Sequence, residues 1–473
     1  MTDNVRQLCI GTTPLDARLE PWIVDLLADP SRLADAVASH GSPLNVLHPG
    51  ALARNAAELV DAAATADVDL RVFFARKANK ALTFVDAAKD AGLGVDVASE
   101  RELRQVLDRG VDPSDIIVTA AVKPRSALSL ALRHGVTVAL DNTDEAQAYL
   151  AVAADSEPAS IPVALRLASS NPDIAPTRFG LSHEQWLQWL DEVNPQAFRI
   201  EGIHFHLHGY DPAHRAVVLG EAMALVDELH TRGHRPTFVD MGGGIPMSYL
   251  DDSDQWEQFG HAHRRAVLGE QEPLTWRGDG LGLSARDGRI EGTLQTYPFH
   301  QSMIRGGWIS AVAEAFSAHT DVALGACLRS RGVRLHCEPG RSLLDGCGMT
   351  VASVVFRKTS SDGIALIGLE MNRTQCRSTS ADYLVDPILL RSPQSGPPGP
   401  PTDGFLVGAY CIEEELILRR RLRFPAGVAV GDLLVLPNTA GYLMHILESE
   451  SHQLPLARNV LADNDFALDA IDL

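Results

Sequence analysis

Lys77 stands in FFARKAN, directly after an apolar run with the pattern of a buried strand. An amine at a strand end points toward a partly desolvated centre, where burial would lower its pKa and make it a nucleophile. The alternative is a solvated surface lysine. DMGGGIP places Gly242, Gly243 and Gly244 in succession after another such run. Without Cβ atoms their N–H groups can converge on a phosphate, although three glycines also make an ordinary turn. CEPGRS brings Glu338, Gly340 and Arg341 together. The arginine could hold the same phosphate by a charge-assisted contact and the glutamate would face a ligand, while a structural Glu–Arg pair would use the same residues.

HFHLHGY carries a second kind of chemistry. Strand alternation puts His204, His206 and His208 on one face. Imidazoles so placed suit a zinc-dependent barrel hydrolase, with Lys77 as a possible modified ligand. No second histidine cluster or strand-end aspartate clearly completes such a centre, so no metal is expected and one of these rings is read as stacking on a flat ligand. Cys411, in VGAYCIEEEL, and Tyr442, in NTAGYLMH, lie in a later, strand-rich region. By themselves they read as a packed thiol and a turn residue.

These residues need a scaffold. From Leu70 the runs LRVFFA, LGVDV, DIIVT, VTVAL, IPVALRL, IEGIHFH, PTFVDM and VRLHCE alternate with amphipathic stretches such as ERELRQVLDRG. Strand and helix in strict alternation predict an α/β fold, a (β/α)8 TIM-like barrel, over an open doubly wound sheet. Barrel active sites lie at the C-terminal strand ends, with phosphates held after the seventh and eighth strands, where the glycine run and Arg341 fall. After residue 342 the helical period fades and CGMTVASVVFRK, GIALIGLE, GFLVGAYC and GDLLVLPN predict a separate C-terminal β domain over 343–473. RSPQSGPPGPPTDG is a surface loop within it. Residues 1–40 are expected to pack on the β domain and 41–342 to form the barrel. An insertion at about 251–305 would be a lid or an inert excursion.

Composition limits the partners. A formal charge of -20 argues against nucleic acid and anionic membranes and points to small molecules. No stretch approaches the roughly 18 apolar residues of a membrane span. The six cysteines lack C-x-x-C spacing, so neither a disulfide framework nor a structural zinc is expected, and reduced thiols in the cytoplasm fit.

Taken in order, FFARKAN, GVDVAS, GIHFH, DMGGGIP, CEPGRS, GAYC and AGY resemble the alanine-racemase-fold, pyridoxal-phosphate-dependent decarboxylases of diaminopimelate, ornithine and arginine. The resemblance implies that Lys77 is the Schiff-base lysine and His206 the ring stacked on the pyridine. Gly242, Gly243, Gly244, Gly340, Arg341 and Tyr442 would hold the phosphate, and Glu338 would pair with the pyridine nitrogen. Cys411 would come from the partner subunit of a homodimer to help protonate the product. It further implies decarboxylation through a quinonoid, because a carboxylate keeps the ring nitrogen protonated. Racemases of this fold typically place an arginine there.

The alternatives are a pyridoxal-phosphate racemase or epimerase, a metal-dependent hydrolase, and a noncatalytic cofactor-binding protein. Three departures mark a divergent branch, one of them the long insertion at about 251–305. Ile412 follows the cysteine where diamine-forming members carry an acid, and His208–Gly209 replaces a Gly-Ser pair. Candidate substrate contacts are Arg166, Arg377, Glu413 and Tyr383.

Overall fold

The computed structural model describes residues 6–155, 160–193, 197–316, 322–378, 383–463 and 465–473. Eight parallel strands close into a barrel: Leu70–Ala75, Gly94–Val97, Ile116–Val118, Thr137–Leu140, Ile161–Arg166, Phe198–His204, Phe238–Asp240 and Arg334–Cys337. They are the eight expected runs. Most are buried on both faces, which is why they read as near-continuous apolar segments. Phe73, Ile117, Ala139, Ala164 and Phe238 fill the interior. Leu59, Phe84, Leu103, Leu128, Trp186 and Leu225 belong to the larger core cluster that surrounds the barrel.

Several helices start where the chain supplies a cap. Ser99 caps Glu100–Asp108, Asn142 caps Thr143–Ala154, and Ser182 with Gln185 forms a capping box on His183–Glu192. Each cap stabilises its helix by about 1 kcal/mol and sharpens the strand–helix turn that carries site residues.

The second unit is a curled sheet organised around the long strand Gly348–Thr359. It pairs antiparallel with Ala365–Leu369, Leu433–Pro437 and Leu44–Leu47. Leu44–Leu47 lies in the segment expected to open the barrel. All four of its residues are buried, between Gly348–Val351 and Arg458–Leu461, and this burial takes it into the sheet. Ile23, Leu26, Leu33 and Val37, from helices Pro21–Ala28 and Pro30–His40, pack against Met349, Val351, Ile388 and Val435.

The insertion between the seventh and eighth barrel strands is neither a free lid nor an inert excursion. It contains helix Ser253–Val267 and the hairpin Leu283–Arg286/Arg289–Gly292. Tyr249, Phe259, Leu274, Leu281, Tyr297 and Phe299 share one core with Val354, Ile367, Leu406 and Leu434 of the sheet. Thr275 also bridges to Arg420. Apolar burial thus makes it a wedge that joins barrel to sheet. Among the described residues no helix is long and apolar enough to cross a membrane.

Candidate active site

At or just beyond their C-terminal ends, the eight barrel strands present Lys77, Asp96, Thr119, Asp141, Arg166, His204, Asp240 and Glu338 in turn. Most of them link into a polar ring across the barrel mouth. Lys77 Nζ donates to Asp96 Oδ2 and, at 3.1 Å, to Glu338 Oε2. The Thr119 hydroxyl donates to Asp96 Oδ1. Arg166 donates to Asp141 Oδ1 at 2.9 Å, to the Thr119 carbonyl at 3.0 Å and to His204 Nδ1 at 3.1 Å. His204 Nε2 lies 3.2 Å from Glu338 Oε1.

The state of Lys77 differs from the expectation. Burial alone would lower its pKa, but Asp96 and Glu338 outweigh that effect and hold the amine charged, its pKa raised. Glu338 moves the other way. Burial would raise its carboxyl, yet Lys77 pulls it below its ordinary value, while burial and the Glu338 charge raise Asp96. Lys77 is therefore an ammonium clasped by Asp96 and Glu338, and it must lose a proton before it can attack a carbonyl.

A cavity of about 280 Å³ opens above this ring, lined in part by Lys77, His206, Gly244, Gly340, Arg341 and Tyr442. Burial pushes the His206 pKa down to about 3, so the ring is neutral. The edge of Phe179 supports it at 6.0 Å and 86°. Arg341 donates to the Tyr249 hydroxyl at 2.8 Å and to the Ser378 hydroxyl at 2.7 Å. Among the described residues no carboxylate forms an ion pair with it, although it is only 8% exposed. A buried guanidinium without an anion is a ready phosphate site.

Close approaches explain the glycines. A Cβ on Gly243 would stand 2.8 Å from the Glu338 carbonyl oxygen. One on Gly244, where φ is +84°, would meet Arg215 Nη2 at 2.1 Å. Arg215 is buried and donates to the carbonyls of Leu207, Gly209 and Gly243, tying the loops after the sixth and seventh strands together. Tyr442 N–H donates to the Ala78 carbonyl at 2.8 Å, fixing the tyrosine beside the Lys77 turn.

Other candidates fall elsewhere. Tyr383 is fully buried, and its hydroxyl donates to the Pro437 carbonyl at 2.7 Å, because sheet packing claims it for the β-domain core. Arg166 is consumed by the ring, with Asp141, Thr119 and His204 taking its donors. Glu413 is exposed on the Cys411 loop and does not line the cavity. Arg377, half-buried beside Ser378, does not line it either. Cys411 is the exposed cysteine, while the other five are buried. The three histidines separate because the strand stops at His204: that ring turns down to Glu338, His206 lines the cavity and His208 is exposed at its rim.

The expectation that no strand-end aspartate joins the histidines is also corrected. Ligand atoms of His204, Asp240 and Glu338 lie within 4.8 Å of one another. Asp240 Oδ1 accepts from the Gly242 N–H at 2.9 Å, and burial together with Glu338 raises its pKa well above the usual carboxylate range. Asp96, Thr119, Asp240 and Arg215 escaped the sequence reading. The available signal was a charged residue inside an otherwise apolar run, as in GVDV and TFVD.

Fold and site together define a (β/α)8 barrel whose mouth presents a strand-end lysine, a glycine loop and a buried arginine suited to a phosphate-bearing group. Residues 53–273 match the pyridoxal binding domain of the pyridoxal-dependent decarboxylases. The chain is 30% identical over 461 residues to an uncharacterised protein, y4yA, of Sinorhizobium fredii, covering 96% of this chain and 95% of that one. It is 28% identical over 443 residues to the diaminopimelate decarboxylase of Actinosynnema pretiosum, covering 91% and 86%. The structure of Helicobacter pylori diaminopimelate decarboxylase complexed with L-lysine superposes with a TM-score of 0.67 at 15% identity, covering 92% and 95%. The chain belongs to the pyridoxal-dependent decarboxylase family of the ornithine, arginine and diaminopimelate enzymes, and is a pyridoxal-phosphate-dependent amino-acid decarboxylase.

The residues fit that cofactor. Lys77 would supply the amine, the anionic Glu338 a partner for the ring nitrogen, neutral His206 a flat face, and Arg341 with the glycine loop a phosphate cradle.

Proposed function

We propose that this chain releases CO2 from a diaminopimelate-like amino acid, that its site is completed by the Cys411 loop of a second copy, and that it works in the cytoplasm. The observation that carries the reading is the Lys77–Glu338 contact at 3.1 Å beneath a cavity that also presents Arg341, His206 and Tyr442. Bound pyridoxal phosphate supplies an electron sink for the bond that breaks. The protein's part is to hold and orient. Lys77 would carry the cofactor, Glu338 would keep the ring nitrogen protonated, and Arg341 with Gly244 and Tyr442 would anchor the phosphate. That anionic Glu338 supports decarboxylation over racemisation, since a cation in its place would disfavour a protonated ring.

The dimer rests on Cys411. Cys411 and Ile412 are exposed and lie outside the cavity, so a thiol that donates a proton to product must come from another copy. Its own loop is pinned by Glu415, whose Oε1 accepts from the Arg373 N–H at 2.8 Å. The diaminopimelate-like side chain is supported by the Actinosynnema relative. Ile412 in place of an acid argues for a distal group other than a simple ammonium.

The test is an assay of CO2 release and of optical activity across diaminopimelate, lysine, ornithine, arginine and acidic amino acids. CO2 from one or more is expected. Racemisation without CO2 would overturn the proposal.

A further inference from the structure

We propose that His204 is a positioning residue locked in one tautomer: its proton sits on Nε2 and is donated to Oε1 of Glu338, because Arg166 occupies Nδ1. The donors and acceptors leave a single assignment. A guanidinium N–H has no lone pair to offer, so at 3.1 Å Arg166 Nε donates and His204 Nδ1 accepts. The neutral ring then carries its hydrogen on Nε2, 3.2 Å from Glu338 Oε1.

Arg166 cannot turn away. Its other nitrogens donate to Asp141 Oδ1 at 2.9 Å and to the Thr119 carbonyl at 3.0 Å, and its guanidinium lies over the Phe179 ring at 4.9 Å. Asp141 is held in turn by the Gly180 N–H at 3.2 Å. A second proton on His204 would break the Arg166 bond and set two cations side by side in a buried site. Burial and Arg166 both drive its pKa well below the usual histidine value.

The consequence reaches Glu338. Oε1 accepts a hydrogen bond that transfers no proton, while Oε2, which accepts from Lys77 at 3.1 Å, would face the ring nitrogen of a bound cofactor. His204 therefore orients the carboxylate and gives it no proton, while Lys77 holds it anionic. The same link explains why Arg166, far from reading substrate, is buried with each of its three nitrogens hydrogen-bonded within the ring. This inference deepens the proposed function and rests on Glu338 being the partner of the ring nitrogen.

Neutron diffraction from crystals of the deuterated holoenzyme reads the tautomer directly. Density for deuterium on His204 Nε2, with none on Nδ1, is the expected result; deuterium on Nδ1 would overturn the proposal, whatever the substrate proves to be. Two variants test the consequence through the affinity and absorption spectrum of added pyridoxal phosphate. His204→Leu should weaken cofactor binding by about tenfold or more and alter the bound spectrum, and His204→Gln, which keeps an N–H near the Nε2 position, should recover most of both. A Leu variant with wild-type affinity and spectrum would sink the positioning role, and if it does not fold the neutron map of the wild-type protein still decides. Glu338→Gln separates the two readings. Unchanged cofactor affinity, spectrum and CO2 release in that variant would overturn the role of Glu338 itself while leaving the tautomer standing.

Discussion

The Cβ that Gly340 lacks would stand 2.3 Å from the hydroxyl oxygen of Tyr442, so this glycine is what lets the tyrosine reach the cofactor cavity. Tyr442 itself has φ +69°, a left-handed conformation that a bulky residue keeps only when its surroundings enforce it. Gly340→Ala is therefore expected to displace the ring, lower stability by about 1–3 kcal/mol and weaken pyridoxal phosphate binding. Chemical denaturation and cofactor titration of the apoprotein check the two effects separately.

Removing the amine of Lys77 leaves Asp96 and Glu338 buried without their cation. Lys77→Ala should reduce CO2 release on the order of 10³-fold or more, and borohydride should no longer fix cofactor to the protein. The unpaired carboxylates should also cost the apoprotein roughly 3 kcal/mol. A variant that still retains cofactor through borohydride treatment and denaturation would refute the assignment.

Tyr383 tests the opposite case. Its hydroxyl makes one buried hydrogen bond to the Pro437 carbonyl, so Tyr383→Phe should lower stability by about 1 kcal/mol. KM and kcat should stay at their wild-type values. A raised KM would return the residue to the substrate site.

If sites are shared between two copies, variants defective in different halves should complement. Lys77→Ala and Cys411→Ala, mixed under conditions that exchange subunits, should recover about a quarter of wild-type activity, because half of the dimers then hold one intact site. Gel filtration should show a dimer, and no recovery after proven exchange would place both residues in one chain.

His336 predicts a pH dependence of stability. It is stacked on Phe238 at 4.4 Å and 8° inside the barrel, and burial lowers its pKa from 6.5 to about 3. Between those values the unfolded chain binds a proton that the folded chain refuses, so stability rises with pH across that window and its contribution is complete above about 6.5. Denaturation at a series of pH values should show this acid limb weakened in His336→Phe.

The barrel was legible because parallel strands buried on both faces leave near-continuous apolar runs, and most of the eight runs from LRVFFA to VRLHCE carry that mark. Lys77, His206, Gly244, Gly340, Arg341 and Tyr442 were legible for a related reason. Their types at strand ends stood out against the apolar runs, and the structure places them together along one cavity. What the sequence by itself determined was thus the scaffold, the cofactor class and several of the groups that line the cavity.

Tertiary structure alone decided how those groups are charged and which candidates stay outside. Strand spacing could not show that Asp96 and Glu338 close on Lys77 and keep it an ammonium, since the two acids are far apart in the chain and meet only when the barrel closes. Nor could it show that Arg166 is consumed by Asp141, Thr119 and His204, or that Tyr383 is claimed by the sheet. A residue's type is a local property, but its partners, burial and protonation depend on contacts made across the whole fold.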